Sequence, residues 1–242
     1  MQTIIVAGSE GVIGPKIVDH LKKNKNKVIC LDVKLGHDLT DRLFVERFFK
    51  ENSADVLINL FALNHHVKDQ KYENSFFEMD PEEVNEYCNV NVTTLYHVCR
   101  EFMKNRPAEK RISIINFGSL YALRSPRPEI YPQGVMKHIG YVTSKHAVIG
   151  LTKYIANHFA PEVNINCICP GGIETEEMSA TFKEKFTKNV PYGRMSKVED
   201  LFGIIELLCS EKSNYMTGCV IPVDGGWTVQ WKIIIKINVK NC

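Results

Sequence analysis

Thr3-Ile4-Ile5-Val6-Ala7-Gly8-Ser9-Glu10-Gly11-Val12-Ile13-Gly14 begins with a five-residue apolar run and ends on three glycines spaced G-x-x-G-x-x-G. A strand that passes straight into a glycine loop and then into a helix, here over roughly Val12–Lys23, is the start of a βαβ unit. Glycines let the backbone turn tightly and approach a pyrophosphate, which then rests on the N-terminus of the helix. A glycine triplet alone is often only a turn. Here Asp32 stands 18 residues beyond Gly14, at the end of a second apolar run, Lys27–Asp32. A carboxylate at that place accepts hydrogen bonds from ribose hydroxyls and repels a 2′-phosphate. The stretch therefore reads as a dinucleotide site with NAD(H) as the preferred cofactor. Lys34 lies close enough to soften the repulsion, but no arginine follows.

The same alternation continues along the chain. Asp55–Leu60, Ile112–Phe117, Val163–Ile168 and Val220–Val223 read as strands, with helices near Asp41–Glu51, Pro81–Asn105, Tyr141–His158 and Lys197–Leu208. Strands this rich in Val, Ile and Leu suit a parallel sheet covered by helices on both faces. One α/β domain is expected over residues 1–230, followed by a short C-terminal tail, 231–242. The tail's Ile233-Ile234-Ile235-Lys236-Ile237 would suit an added strand or an oligomer contact.

Composition narrows the classes of function. Across 242 residues, 44% hydrophobic and 24% charged residues are ordinary for a globular protein. The net charge of +2, with dispersed basic residues, leaves no footprint for nucleic acid. Lys22-Lys23-Asn24-Lys25-Asn26-Lys27 reads as a solvated helix end, where cations complement the dipole. No apolar run is long enough to span a bilayer and no targeting segment is visible, so neither a membrane nor a nucleic-acid partner is expected. The eight cysteines include no C-x-x-C pair, and Cys167 and Cys169 alternate along a buried strand. A reduced, cytoplasmic protein without a metal site is the expectation.

Chemistry enters with Tyr141-Val142-Thr143-Ser144-Lys145. Tyr and Lys four residues apart share one helix face, and an ammonium beside a phenol favours the phenolate, so the pair could move a proton near neutral pH. Alone, Y-x-x-x-K is a weak signal. With the glycine loop, Ser119 in Asn116-Phe117-Gly118-Ser119, Asn91 in Val90-Asn91-Val92, Pro170-Gly171-Gly172-Ile173-Glu174-Thr175 and the closing Asp224-Gly225-Gly226-Trp227, the chain resembles the short-chain dehydrogenase/reductase family over residues 1–230. Asp38-Leu39 looks like the family's adenine-side segment, and Asn59-Leu60-Phe61-Ala62 is a loose match to its segment after the central strand.

The resemblance implies a Rossmann-type doubly wound sheet and a set of roles. Tyr141 would give a proton to a carbonyl oxygen or take one from an alcohol, and Ser119 would hydrogen-bond the substrate oxygen. Lys145 would lower the tyrosine pKa and hold the nicotinamide ribose, while Asn91 would hold a water leading to Lys145. The cofactor would lie along Gly8, Glu10, Gly11, Val12, Ile13, Gly14, Asp32, Asp38, Leu39, Asn59, Phe61, Ala62, Pro170, Gly171, Ile173 and Thr175, and against Tyr141 and Lys145. Taken singly, Ser119 could be a strand-end cap and Asn91 a buried polar residue bonded to backbone. The family also suggests a homo-oligomer, a dimer or tetramer.

Three features depart from the family pattern. The glycine spacing resembles its extended branch of nucleotide-sugar epimerases and dehydratases. Only six residues lead from Asp32 to Asp38, where a parallel crossover needs about a dozen, so the second crossover is shortened and the third strand is a stub or absent. With 22 positions separating Ser119 from Tyr141, the intervening Tyr121–Gly140 is an enlarged loop, carrying Arg124, Arg127, Lys137 and His138. Arginines on a loop stiffened by Pro126, Pro128 and Pro132 would suit a carboxylate or phosphate, or else are a solvated surface. Glu176–Asn189 is a second candidate wall, and His65 and His66 read as loop groups rather than metal ligands. The expected function is an NAD(H)-dependent oxidoreductase interconverting a secondary alcohol and a ketone on a small, polar, sugar-derived substrate. The alternatives are an epimerase or dehydratase with tightly held NAD, and an idle NAD(H)-binding protein.

Overall fold

The computed structural model describes residues 1–64, 76–107 and 110–230. Six strands form one parallel sheet: β1 (Thr3–Ala7), β2 (Lys27–Leu31), β3 (Val56–Asn59), β4 (Ile112–Phe117), β5 (Val163–Pro170) and β6 (Val220–Val223), in the order β2-β1-β3-β4-β5-β6. The connecting helices are α1 (Gly14–Lys23), α2 (Arg42–Glu51), α3 (Pro81–Cys88), α4 (Leu95–Lys104), α5 (Ile139–Phe159), α6 (Ala180–Thr187) and α7 (Phe202–Cys209). Strand residues alternate between two cores. Ile4, Val6, Val56 and Ile58 pack under Ile17, Val18 and Leu21 of α1 and Ile205 and Leu208 of α7. Ile5, Ala7 and Leu57 pack under Val45 and Phe49 of α2, Val98 and Phe102 of α4, and Val148 and Ile155 of α5. Burial on both faces explains the absence of polar alternation in the sequence.

No third strand forms between β2 and α2. The Asp32 carboxylate accepts the Lys34 N–H at 2.9 Å and caps a single 3-10 turn, Val33–Leu35. Gly36 then reverses the chain at φ 81°, and Asp41 caps α2 by accepting the Leu43 and Phe44 N–H groups. This leaves β2 as the sheet edge and β1 between β2 and β3. From β1 the chain leaves toward α1 on one face, and from β3 it leaves toward α4 on the other. The crevice between those two exits is the switch point where open α/β sheets bind ligands.

The expected helix Pro81–Asn105 is interrupted. Asp80 caps its start at the Glu82 N–H, and Pro81 fits the first turn, but Asn89–Thr94 widen into a π-helical turn before α4 resumes. Between the layers runs a buried polar relay. Asn59 Nδ2 donates to Asn116 Oδ1 at 2.9 Å, Asn116 Nδ2 to Thr152 Oγ1 at 3.0 Å, and Thr152 Oγ1 to the Val148 carbonyl at 2.8 Å. It ties β3, β4 and α5 together where unpaired groups would be costly.

A third, smaller core lies beyond the sheet. Leu120, Tyr121, Ile130 and Tyr131 of the enlarged loop pack with Phe186 of α6, Val190, Met195 and Trp227. The loop is thus a folded element with its own apolar interior. Among the described residues, no helix is long and apolar enough to cross a membrane, seven cysteines are free, and no group of three or more His, Cys, Asp or Glu could hold a metal. His65, His66 and the tail from residue 231 lie outside the described residues.

Gly8 marks the tightest approach in the switch-point crevice. A Cβ there would sit 2.4 Å from the Phe61 nitrogen, and φ is +87°. At Gly11 the nearest neighbour of an added Cβ is the Gly8 carbonyl oxygen, at 3.4 Å. Gly8→Ala should therefore lose about 1–3 kcal/mol or more of stability in urea unfolding, while Gly11→Ala stays within about 0.5 kcal/mol of the parent. Equal losses would contradict this packing.

Candidate active site

Parallel strands point their C-terminal ends to one edge, which brings four segments together: the glycine loop after β1, Leu60–Leu63 after β3, Ser119 after β4, and Gly171–Thr175 after β5. Gly14 is also packed tightly, since a Cβ would meet the Ser9 carbonyl oxygen at 2.3 Å. Gly11 is not, so packing does not account for its lack of a side chain. Neither does any side chain cap the first turn of α1. An open glycine before an uncapped helix N-terminus is the chemistry a pyrophosphate needs, and the residues here fit a dinucleotide. Asp32 is buried and oriented: its Oδ2 accepts the Glu10 N–H at 3.0 Å, and Lys34 Nζ donates to the Glu10 carbonyl at 2.8 Å. Val12 is exposed at the loop, while the Ile13 side chain packs into the α1 core.

Tyr141 lies in the first turn of α5 and Lys145 one turn later. The Ser119 hydroxyl hydrogen-bonds the Tyr141 side chain and accepts the Tyr121 N–H at 3.1 Å. Ser119, Tyr141 and Lys145 thus lie together, the pair as its spacing implied and Ser119 as the resemblance implied. Lys145 is buried and donates to the Phe117 carbonyl at the end of β4, at 2.8 Å. Burial pushes its amine down to about 8.

Without a cofactor, desolvation rather than Lys145 dominates the Tyr141 phenol. The ammonium is bonded to the strand end, 5.8 Å from the centre of the Tyr141 ring. Burial pushes the phenol up to about 12; the Ser119 hydrogen bond opposes this and the nearby Tyr87 adds to it. Tyr141 is therefore a neutral phenol here.

Asn91 sits in the π-helical turn with its side chain fully engaged. Its Oδ1 accepts the Leu63 N–H at 2.7 Å, and its Nδ2 donates to the Leu63 carbonyl and to Ser144 Oγ at 3.1 and 3.0 Å. It pins the loop after β3 to α5, so a water toward Lys145 would have to be held by its backbone. The Asn59 side chain faces the α4/α5 layer within the polar relay, and the Leu39 side chain is in the same core. Those two could meet a cofactor only through backbone. Phe61 also packs on that core, with its N–H bonded to the Ala7 carbonyl beside Gly8. Asp38 is exposed, and its Oδ1 accepts the Thr40 N–H and hydroxyl. On the far side, Gly171 donates to the Val223 carbonyl, and Ile173 bridges to Ser196, which fixes the segment from Pro170 to Thr175.

Arg124 and Arg127 are both bonded to the chain beyond β6. Arg124 Nε donates to the Thr228 carbonyl at 2.9 Å. Arg127 stacks on Trp227 with its guanidinium carbon 4.8 Å from the ring centre, and donates to Asn189 Oδ1 and the Gln230 carbonyl. Both fasten the enlarged loop to the chain beyond β6. The basic residue of this loop that reaches Tyr141 is Lys137, whose Nζ lies 4.5 Å from the ring centre. Sequence reasoning also missed the Tyr121 and Tyr131 hydroxyls, 2.6 Å apart, close enough for Tyr141 to add to their upward pKa shifts. It missed Cys169 too, whose Sγ is bonded by the Ser119 N–H and lies 4.0 Å from Cys167 Sγ.

Comparison with known proteins agrees with this geometry. A family model described as enoyl-(acyl carrier protein) reductase matches residues 9–228. Dehydrogenase/reductase SDR family member 6 of Aquarana catesbeiana is 29% identical, covering 93% of this chain and 96% of the relative. The 2-dehydro-3-deoxy-D-gluconate 5-dehydrogenase of Bacillus subtilis is 30% identical over 74% of this chain and 66% of the relative. A short chain dehydrogenase from Leptospira borgpetersenii, solved with bound NAD+, superposes with a TM-score of 0.82 at 28% identity, covering 94% of this chain and 92% of that one.

The buried ammonium makes a testable demand on stability. Below about pH 8 Lys145 is charged in both folded and unfolded states, and its burial penalty is present in full. That penalty fades as pH rises toward the ordinary lysine value of about 10.4, where both states are neutral. Lys145→Met should raise the Tm of the cofactor-free protein at neutral pH, by about 2–4 °C per kcal/mol relieved, with the gap narrowing above pH 8. A lower Tm for the variant throughout would contradict the assignment.

Proposed function

The chain belongs to the short-chain dehydrogenase/reductase family and is an NAD(P)-dependent oxidoreductase; within that frame we propose that it interconverts a secondary alcohol and a ketone on a polar, sugar-derived substrate, with NAD(H) as cofactor and Tyr141 as proton donor and acceptor. The observation that carries the reading is the convergence of Ser119, Tyr141 and Lys145 beside the glycine loop at the switch-point edge of the sheet.

A nicotinamide held by these residues would supply the hydride acceptor or donor. For oxidation of an alcohol, the Tyr141 phenolate would take the hydroxyl proton and become the neutral phenol. In the reverse direction Tyr141 protonates the carbonyl oxygen, and the neutral phenol of the cofactor-free site is already in that form. Ser119 stabilises the charge developing on the same oxygen. Lys145 holds the ribose and supplies a cation near the phenol. Asp32 receives the adenosine ribose and disfavours a 2′-phosphate, so NAD(H) binds better than NADP(H). A polar substrate is supported by the paired Tyr121 and Tyr131 hydroxyls near Tyr141 and by the sugar-acid substrate in the Bacillus subtilis relative's name. A homo-oligomer belongs to the same reading, supported by exposed Tyr96 on α4 and Tyr154 on α5.

The test is nicotinamide absorbance during turnover of a panel of polyols, sugar acids and keto-sugars, with both cofactors. NAD(H) should support turnover at lower concentration than NADP(H). Tyr141→Phe, which deletes only a hydroxyl, should lower turnover about 10²–10⁴-fold while cofactor binding is kept. Near-parental turnover in Tyr141→Phe would remove the tyrosine from this role, and equal use of both cofactors would remove Asp32 from its own.

A further inference from the structure

Tyr121 follows Ser119 by two residues, and its backbone N–H is bonded to the Ser119 hydroxyl at 3.1 Å, so its side chain leaves the chain at the turn that carries the site. Tyr131 comes from the middle of the enlarged loop. Both rings are buried, and their hydroxyl oxygens lie 2.6 Å apart. Each hydroxyl brings one proton and two lone pairs. One proton makes the bond between the two oxygens. The other has no acceptor among the described residues, and either oxygen can carry it, because either hydroxyl can be the donor. The Trp227 indole, buried and edge-on to Tyr121 at 6.1 Å, is a second donor in the same core without a partner among the described residues. Buried donors without acceptors are costly, and folded proteins keep few of them.

We propose that the Tyr121–Tyr131 hydroxyl pair is a substrate subsite, in which the spare phenolic proton is donated to a second hydroxyl of the substrate, on the carbon next to the reacting one or one carbon further. The substrate class is then a diol or polyol, or the matching hydroxy ketone, and Tyr131 is the specificity residue that the enlarged loop contributes. The assignment rests on the alcohol–ketone reading of Tyr141 and deepens it. Position supports it first. The Ser119 hydroxyl is bonded both to the Tyr141 side chain and to the Tyr121 backbone, so one residue joins the pair to the reacting group. Tyr141 is near enough to act on both phenols. Protonation supports it next. Burial pushes Tyr121 up to about 12 and raises Tyr131 too, so both keep their protons and the pair remains a donor at neutral pH. Its neighbours hold it in place: Phe182 of α6 lies 5.9 Å from Tyr131 between ring centres, and Trp227 stands against Tyr121. A donor fixed in this way discriminates by what it leaves unpaired, since an alcohol without the second hydroxyl would set a hydrocarbon group against a buried O–H. The plainer role, a staple between the loop and the end of β4, would act on all alcohols alike.

The experiment compares three four-carbon secondary alcohols, butan-2-ol, butane-2,3-diol and butane-1,3-diol, with NAD+, in the parent, Tyr121→Phe, Tyr131→Phe and the double variant. At least one diol should exceed butan-2-ol in kcat/KM by about 10-fold or more. The double variant should lose that preference, mainly through KM, and change butan-2-ol by less than about threefold. Each single variant, which retains one hydroxyl, should fall between. The variants keep both rings, and thermal unfolding checks that they remain folded. A parallel readout needs no turnover: titrating the NADH-loaded parent with the diols should give a saturable ultraviolet difference signal from tyrosine, absent with butan-2-ol and absent in the double variant. If alcohols are turned over without a preference for either diol, or the double variant keeps the preference or slows all three alike, the subsite is overturned and the alcohol–ketone reading stands. If none of the three is turned over but the tyrosine signal appears in the parent and not in the double variant, the reverse holds. No turnover and no signal overturns both.

Discussion

Lys145 donates to the Phe117 carbonyl from inside the protein, and Tyr141 lies partly buried one turn away. Keeping an ammonium and a phenol out of water is the constraint on which the site depends. It brings the amine to about 8 and the phenol to about 12, toward the neutral form of each. That enclosure has identifiable walls. Tyr87 and His138 close it from the side of α3 and the α5 cap, and the small core around Tyr121, Tyr131 and Trp227 closes it from the loop side. Arg124 and Arg127 contribute by fastening the loop to the residues after β6. A loop this well packed shapes the pocket before any substrate arrives, which is the condition for precise placement of a reacting oxygen.

The missing third strand gives the other half of the site its character. Without it, β2 is the sheet edge and Asp32 is followed by one capped turn and then α2. The ribose end of the cofactor crevice is bounded by Asp32, Glu10 and Lys34, which already hydrogen-bond one another. Their fixed arrangement presents a carboxylate with a cation close by, and the balance between those two charges sets how strictly a 2′-phosphate is refused.

What the sequence made legible were features set by local spacing. The glycine loop, the Asp32 position, the shortened crossover and the Tyr141/Lys145 face each follow from counting residues along one segment. The Asn59 side chain turns toward Asn116 and Thr152 because of its period-2 position, a fact of sheet pairing. The π-helical turn at Asn91 shifts the helix register through backbone bonding that leaves no mark in composition. Arg127 finds partners 62 and 103 residues away, so its loop neighbours gave no hint of them. At Tyr141, two residues one turn apart suggest mutual influence, while desolvation by the fold is the larger effect without a cofactor. Lys137 was visible as a basic loop residue, yet only the His138 cap explains where it points.

We propose that Tyr141 is a largely enclosed neutral phenol whose proton becomes mobile when a cofactor binds. Ultraviolet titration of tyrosinate, comparing the parent with Tyr141→Phe, without and with saturating NAD+, tests it most directly. Without NAD+ the two proteins should titrate identically below about pH 10, because burial holds Tyr141 above the ordinary tyrosine range. With NAD+ the parent should show one additional tyrosinate at lower pH that the variant lacks. An additional parental tyrosinate near neutral pH in the cofactor-free protein, or identical curves with NAD+ bound, would contradict it.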